Sequence, residues 1–162
     1  MRGFTLFAVG LSLGLMAQAP LAQSAEPPAR LNHVAIAVPS VADALKWYSD
    51  TLGFREVIRQ TDPMGKLTSV YLQISRDTFI EIAEANAQRP VGLNHFGLEV
   101  PDIKAGVAAF RARGATATDP SAKPSAYSGG YLANITDPHG FRVELTEQPP
   151  DGKLRKASES WK

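Results

Sequence analysis

Two short stretches alternate between apolar and polar or small residues with a period of two, and each is followed by a helical period. At 33–38 the alternation sets Val34, Ile36 and Val38 on one face and His33, Ala35 and Ala37 on the other. At 95–100 it sets Phe96, Leu98 and Val100 against His95, Gly97 and Glu99. Pro39 and Pro101 stop these strands, and Ser40 and Asp102 are suited to cap the helices that follow. The first helix predicts a face of Leu45, Tyr48 and Leu52, the second a face of Ile103, Val107 and Phe110, with Gly53 and Gly114 at their exits. Strands are predicted at 54–60, 66–74 and 78–84, with turns at 62–65 and 75–77, and again at 130–136 and 141–147 about the turn 137–140. The segment 119–129, rich in small residues and carrying two prolines, is expected as a loop over the site.

The chain repeats itself. Leu31-Asn-His-Val-Ala-Ile-Ala-Val-Pro-Ser40 returns 62 positions later as Leu93-Asn-His-Phe-Gly-Leu-Glu-Val-Pro-Asp102, with five of ten residues identical. The closing strands match as well: Phe79-Ile-Glu-Ile82 resembles Phe141-Arg-Val-Glu-Leu145, which pairs Glu81 with Glu144. Two modules follow, near 31–85 and 93–147, each βαβββ. The fold class is α+β: two tandem modules forming one concave mixed sheet, a single domain over 26–147. Residues 148–162 are expected as a polar tail or a loosely docked helix.

The repeat also carries chemistry. The apolar faces of the strands match those of the two helices, which leaves His33, Glu81, His95 and Glu144 on the uncovered, concave side. A lone strand histidine is usually a satisfied structural residue, but a His and a Glu repeated in both modules call for a cation. Two imidazoles and two carboxylates suit a divalent first-row metal. His139, in a Pro-Gly turn without a repeat partner, is read as a surface residue. Glu99 is a weak candidate for the substrate wall, Trp47 and Tyr48 are read as core, and Tyr127 could touch a substrate.

Composition bounds the rest. Of 162 residues, 44% are hydrophobic, and Lys+Arg 17 against Asp+Glu 16 gives a charge of +1, so no basic face for nucleic acid is implied. There is no cysteine, which excludes disulfides, thiolate ligands and a cysteine nucleophile. Arg2 is the only charge before Glu26; an apolar run at 4–17 and a small-residue exit follow. Residues 1–25 therefore read as a secretory signal peptide cleaved after Ala22 or Ala25, giving a periplasmic or secreted protein with no membrane segment after its removal.

With the motifs Leu31-Asn-His33, Trp47-Tyr-Ser-Asp-Thr-Leu-Gly-Phe54, Leu93-Asn-His95 and Ile135-Thr-Asp-Pro-His-Gly-Phe-Arg-Val-Glu144, the chain resembles the vicinal oxygen chelate superfamily over about residues 31–147, glyoxalase I in particular. The resemblance implies His33, Glu81, His95 and Glu144 as ligands of Ni, Co or Zn, which acts as a Lewis acid on a small substrate with vicinal oxygens. It implies an enediolate, with Glu144 or Glu81 shuttling the proton, and a homodimer. Two positions depart from bacterial glyoxalase I: Ala37 stands where an arginine usually holds a glutathione carboxylate, and Ala85 where an asparagine is usual. The alternatives are an extradiol-type dioxygenase using His33, His95 and Glu144 around Fe(II), and a metal-free binding protein like the bleomycin-resistance members.

Overall fold

The computed structural model describes residues 29–162; the expected signal peptide lies outside them. Module one runs β1 (Arg30–Val38), α1 (Val41–Leu52), β2 (Arg55–Thr61), β3 (Leu67–Ser75) and β4 (Thr78–Glu84). Module two runs β5 (Gly92–Glu99), α2 (Ile103–Ala112), β6 (Thr116–Ala117), β7 (Tyr131–Thr136) and β8 (Arg142–Glu147), and α3 (Lys153–Glu159) follows. The expected βαβββ repeat is present in both, although β6 is only two residues long and no pattern in the sequence marks it.

The strands form one mixed sheet in the order β2-β3-β4-β1-β5-β8-β7-β6. Each module closes on its opening strand in parallel, β4 on β1 and β8 on β5. The two opening strands pair antiparallel, so the modules join edge to edge within one chain.

The helices start where the sequence places their caps. Ser40 Oγ accepts from Asp43 N at 3.2 Å, and Asp102 Oδ1 accepts from Ala105 N at 2.8 Å. Gly53 takes φ 71 and its N–H bonds to Ser49 O, the left-handed exit that glycine tolerates without a Cβ penalty. α1 packs Val41, Ala44, Leu45 and Tyr48 onto Val70, Leu72, Ile80 and Ile82. α2 packs Ile103, Val107 and Phe110 onto Val100, Ala133 and Leu145. Two expectations for α1 fail. Trp47, 52% exposed, points away from the sheet because one residue before Tyr48 is about 100° round the helix. Leu52, 47% exposed, is the last helical residue and lies outside the core cluster.

The opposite face of the sheet is not bare. The C-terminal segment forms α3, and Leu154 and Ala157 bury against Ile58, Tyr71 and Phe79. Arg55 Nη2 and Gln73 Nε2 donate to Ala157 O at 3.0 and 3.2 Å, holding the helix down. Only Leu154 and Ala157, one turn apart, form the buried apolar stripe; among so many charged neighbours that stripe is too narrow to announce a core helix. From the other side, the loop between β6 and β7 sets Tyr127 on Tyr71, with ring centroids 5.2 Å apart, and its Oη 2.7 Å from Ser69 Oγ. The face expected to be uncovered is therefore roofed over module one.

Candidate metal centre

The site grows from the register of the central strands. In the β1–β5 pair, His33 lies opposite Gly97 and Ala35 opposite His95. Glu81 pairs with Ala35 across β4–β1, and Glu144 pairs with Gly97 across β8–β5. Ala35 and Gly97 thus stand between the four larger groups and leave them room. Gly97 is needed outright, since a Cβ there would run into the His33 ring.

All four residues converge within one chain. His33 Nε2 and His95 Nε2 are 3.0 Å apart. Glu144 lies 3.6 Å from His33 Nε2 through Oε1 and 3.8 Å from His95 Nε2 through Oε2. Glu81 Oε2 is 3.7 Å from His95 Nε2 and 4.0 Å from His33 Nε2. Ligand atoms of His33, His95 and Glu144 all lie within 4.8 Å of one another, a spacing one ion can bridge. His33 and His95 are 1% and 3% exposed, Glu144 is buried and Glu81 half-buried.

Burial controls the charges. It pushes His33 down to about 4 and His95 down to about 3, with the Arg142 guanidinium adding to both, so both rings are neutral at pH 7. Burial pushes Glu144 up to about 7, with the Glu81 charge adding, and also raises Glu81 against a hydrogen bond from Tyr71. Two neutral imidazoles and two carboxylates whose ionisation burial opposes have the chemistry of a donor set awaiting a cation. The residues fit a divalent metal, and His33, His95, Glu144 and Glu81 are the groups that would hold it.

The partners of the ligands are less visible in the sequence than the ligands themselves. Asn32 Nδ2 donates to Glu99 Oε2 at 3.0 Å, which turns its Oδ1 toward His33 Nδ1, also at 3.0 Å. That oxygen can only accept, so His33 carries its proton on Nδ1 and aims a bare Nε2 into the cluster. Glu99, considered for the substrate wall, instead sits buried behind His33, with Arg30 and Arg155 each 3.0 Å from Oε1. His95 Nδ1 meets two opposite partners: the acceptor Asn94 Oδ1 at 2.8 Å and the guanidinium of Arg142, which can only donate. Arg142 Nη2 also donates to Asn94 Oδ1 at 2.7 Å. Tyr71 Oη donates to Glu81 Oε2 at 3.1 Å. The asparagines did carry a signal, the identical Leu-Asn-His of both modules. Tyr71 and Arg142 carried none through the repeat, because neither recurs in the other module. Tyr127 covers Tyr71, and His139 is exposed in its turn and takes no part in the cluster.

The profile of the Glyoxalase/Bleomycin resistance protein/Dioxygenase superfamily matches residues 30–145. The chain belongs to this superfamily. All four site residues of this superfamily member lie inside the matched span. It is 28% identical over 130 residues to a probable chloroplastic lactoylglutathione lyase of Arabidopsis thaliana, covering 75% of this chain and 36% of that protein. The chain thus spans about a third of that relative's length. Among solved structures, methylmalonyl-CoA epimerase from Mycobacterium tuberculosis aligns at TM-score 0.62 and 22% identity, covering 74% of this chain and 88% of that one. A selenomethionine-labelled methylmalonyl-CoA epimerase aligns at 0.59 and 26%, covering 74% and 94%.

Proposed function

We propose that this superfamily member is a metal-dependent lyase or isomerase that moves a proton at a carbon next to two adjacent substrate oxygens. The observation that carries the reading is the convergence of two imidazoles and two carboxylates in one buried cluster. His33, His95, Glu144 and Glu81 would hold a Ni, Co or Zn ion there, which would supply Lewis acidity toward a substrate with adjacent oxygens. The chain supplies the base. Glu81 accepts from Tyr71 Oη, whereas Glu144, beyond the two imidazoles, meets the Arg142 guanidinium at 3.8 Å and accepts no side-chain hydrogen bond among the described residues, so Glu144 is the carboxylate free to take and return the proton. Tyr71, Tyr127 and α3 exclude water from the module-one side.

The Arabidopsis relative, described as a probable lactoylglutathione lyase, supports a glutathione hemithioacetal as one substrate to try. Ala37, buried on the site face, offers no guanidinium to its carboxylates. Export to the periplasm or medium and a homodimer belong to the same reading, although the four ligands of one chain complete the cluster without a partner.

The test is Glu144→Gln in nickel-loaded protein. Exchange of the substrate carbon proton with deuterated solvent is expected to stop while one nickel per chain is retained; full exchange by this variant would remove the base assignment. A second reading, a dioxygenase, draws on the tighter grouping of His33, His95 and Glu144. Oxygen uptake with catechols by the Fe(II)-loaded protein would favour it. A protein that keeps none of these metals yet binds an aromatic drug would be a binding member of the superfamily.

A further inference from the structure

The four ligands leave a charge unbalanced. Two carboxylates cancel one divalent ion, and the two imidazoles add nothing. Beside them stands Arg142, whose only carboxylate within ion-pair reach among the described residues is Glu144, itself a ligand, at 3.8 Å. Arg89 stands near as well: its guanidinium donates to Glu84 O at 2.8 and 3.1 Å, it has no carboxylate partner among the described residues, and its charge is felt at Glu81 and His95. The Arg142 side chain is 40% exposed while its guanidinium reaches Glu144 and His95, and it is not among the residues packed with α3 and Tyr127.

The hydrogen bonding at His95 points the same way. A cation taking the Nε2 lone pair requires the ring proton on Nδ1, where Asn94 Oδ1 receives it. A protonated Nδ1 no longer accepts from Arg142, so a guanidinium N–H beside the ion loses its partner. Resting on the metal-enzyme reading above, we propose that the substrate carries a carboxylate next to its pair of chelating oxygens, and that Arg142 holds that carboxylate, with the Arg89 charge adding to its field. This makes the Arg142 end of the site an anion subsite and sets small oxo or hydroxy dicarboxylates, or their monoesters and thioesters, ahead of neutral carbonyl compounds.

The test compares glycolate with tartronate by titration calorimetry on protein loaded with one nickel per chain. Both offer a hydroxyl and a carboxylate on one carbon; tartronate adds a second carboxylate. Tartronate is expected to bind roughly tenfold tighter or more, the scale of one charge-assisted contact. Arg142→Met, measured at saturating nickel, is expected to lose that preference with glycolate affinity nearly unchanged, and Arg89→Met to lose a smaller part. Should Arg142→Met not fold, Arg89→Met and the salt dependence of the preference in the wild-type protein decide. Equal binding of the two ligands, or a preference intact in both variants, would overturn the anion subsite and leave the metal enzyme standing. Failure of both ligands to bind a nickel-loaded site, or of the protein to hold nickel, would overturn the metal-enzyme reading beneath it.

Discussion

The two modules present the same ligands from different surroundings. In module one His33 is fixed from behind by Asn32, Glu99 and two arginines, and Glu81 is tied to Tyr71. In module two His95 lies between an acceptor and a donor, and no hydroxyl among the described residues donates to Glu144. The register shows where they diverge. Tyr71 lies opposite Glu81 on β3, and Asn134 takes that place opposite Glu144 on β7. Phe79 stands two residues before Glu81 and is wholly buried under α3, whereas Arg142 stands two before Glu144 and reaches solvent. Duplication supplies the His and Glu pairs; divergence of their neighbours leaves one half braced by Tyr71, Asn32 and Glu99 and the other beside the solvent-reaching Arg142.

The largest effect should come from unroofing the braced half. Leu154→Ala removes the side chain that seals α3 onto Phe79 and Tyr71, at a cost of about 2–5 kcal/mol, read by chemical denaturation. Leu132, half-buried on β7 with no such helix above it, is the matching truncation in module two and should cost less. Equal costs would mean that α3 adds no stability to module one.

Next comes the small residue at the centre. Gly97→Ala drives the His33 ring off its seat and should lower nickel affinity about 100-fold, as loss of ligand orientation does. Gly106→Ala, whose Cβ meets the Val100 side chain at 3.1 Å away from the ligands, should leave nickel affinity within about twofold. If Gly97→Ala binds nickel like the wild type, His33 is not a ligand.

The asparagines separate the modules most directly. Asn32→Leu should lower nickel affinity about 10- to 100-fold, and in the metal-free protein shift His33 away from the Nδ1–H form, read by nitrogen-15 NMR. Asn94→Leu should cost less, because Arg142 already draws His95 toward the other tautomer before metal arrives. The reverse order would place the fixed histidine in module two.

How much of this was legible follows from the same asymmetry. Whatever the repeat preserved could be read: the βαβββ order, the helix caps Ser40 and Asp102, and the two His and two Glu positions that converge. Whatever diverged was hidden. Tyr71 sits in an apolar strand where a tyrosine looks like core, and Arg142 in a solvent-reaching position where an arginine looks ordinary. α3 was hidden for another reason. Its apolar stripe is Leu154 and Ala157 alone, and the hydrogen bonds of Arg55, Gln73 and Arg155 that help to hold it are encoded by no local pattern.

The smallest effect locates the mobile proton. Glu144 titrates near 7 in the folded chain, against 4.5 without its surroundings, because burial and then the Glu81 charge oppose its ionisation. Its folded value is raised, so Glu144's own contribution to the stability of the metal-free protein is lost as pH climbs from about 4.5 to about 7. The histidines, pushed from 6.5 down to about 4 and about 3, act oppositely, adding stability as pH climbs from those values to about 6.5, and in the folded chain both are neutral by pH 6. Nickel must displace the proton on Glu144, so binding at pH 6 should release about one proton per chain, and at pH 8 nearly none. Calorimetry in buffers of different ionisation enthalpy counts it. Release of two or more at pH 6 would mean that a histidine or Glu81 is protonated too. Glu144→Gln should abolish the pH 6 release and Glu81→Gln should retain it; the opposite result would move the exchangeable proton, and the base, into module one.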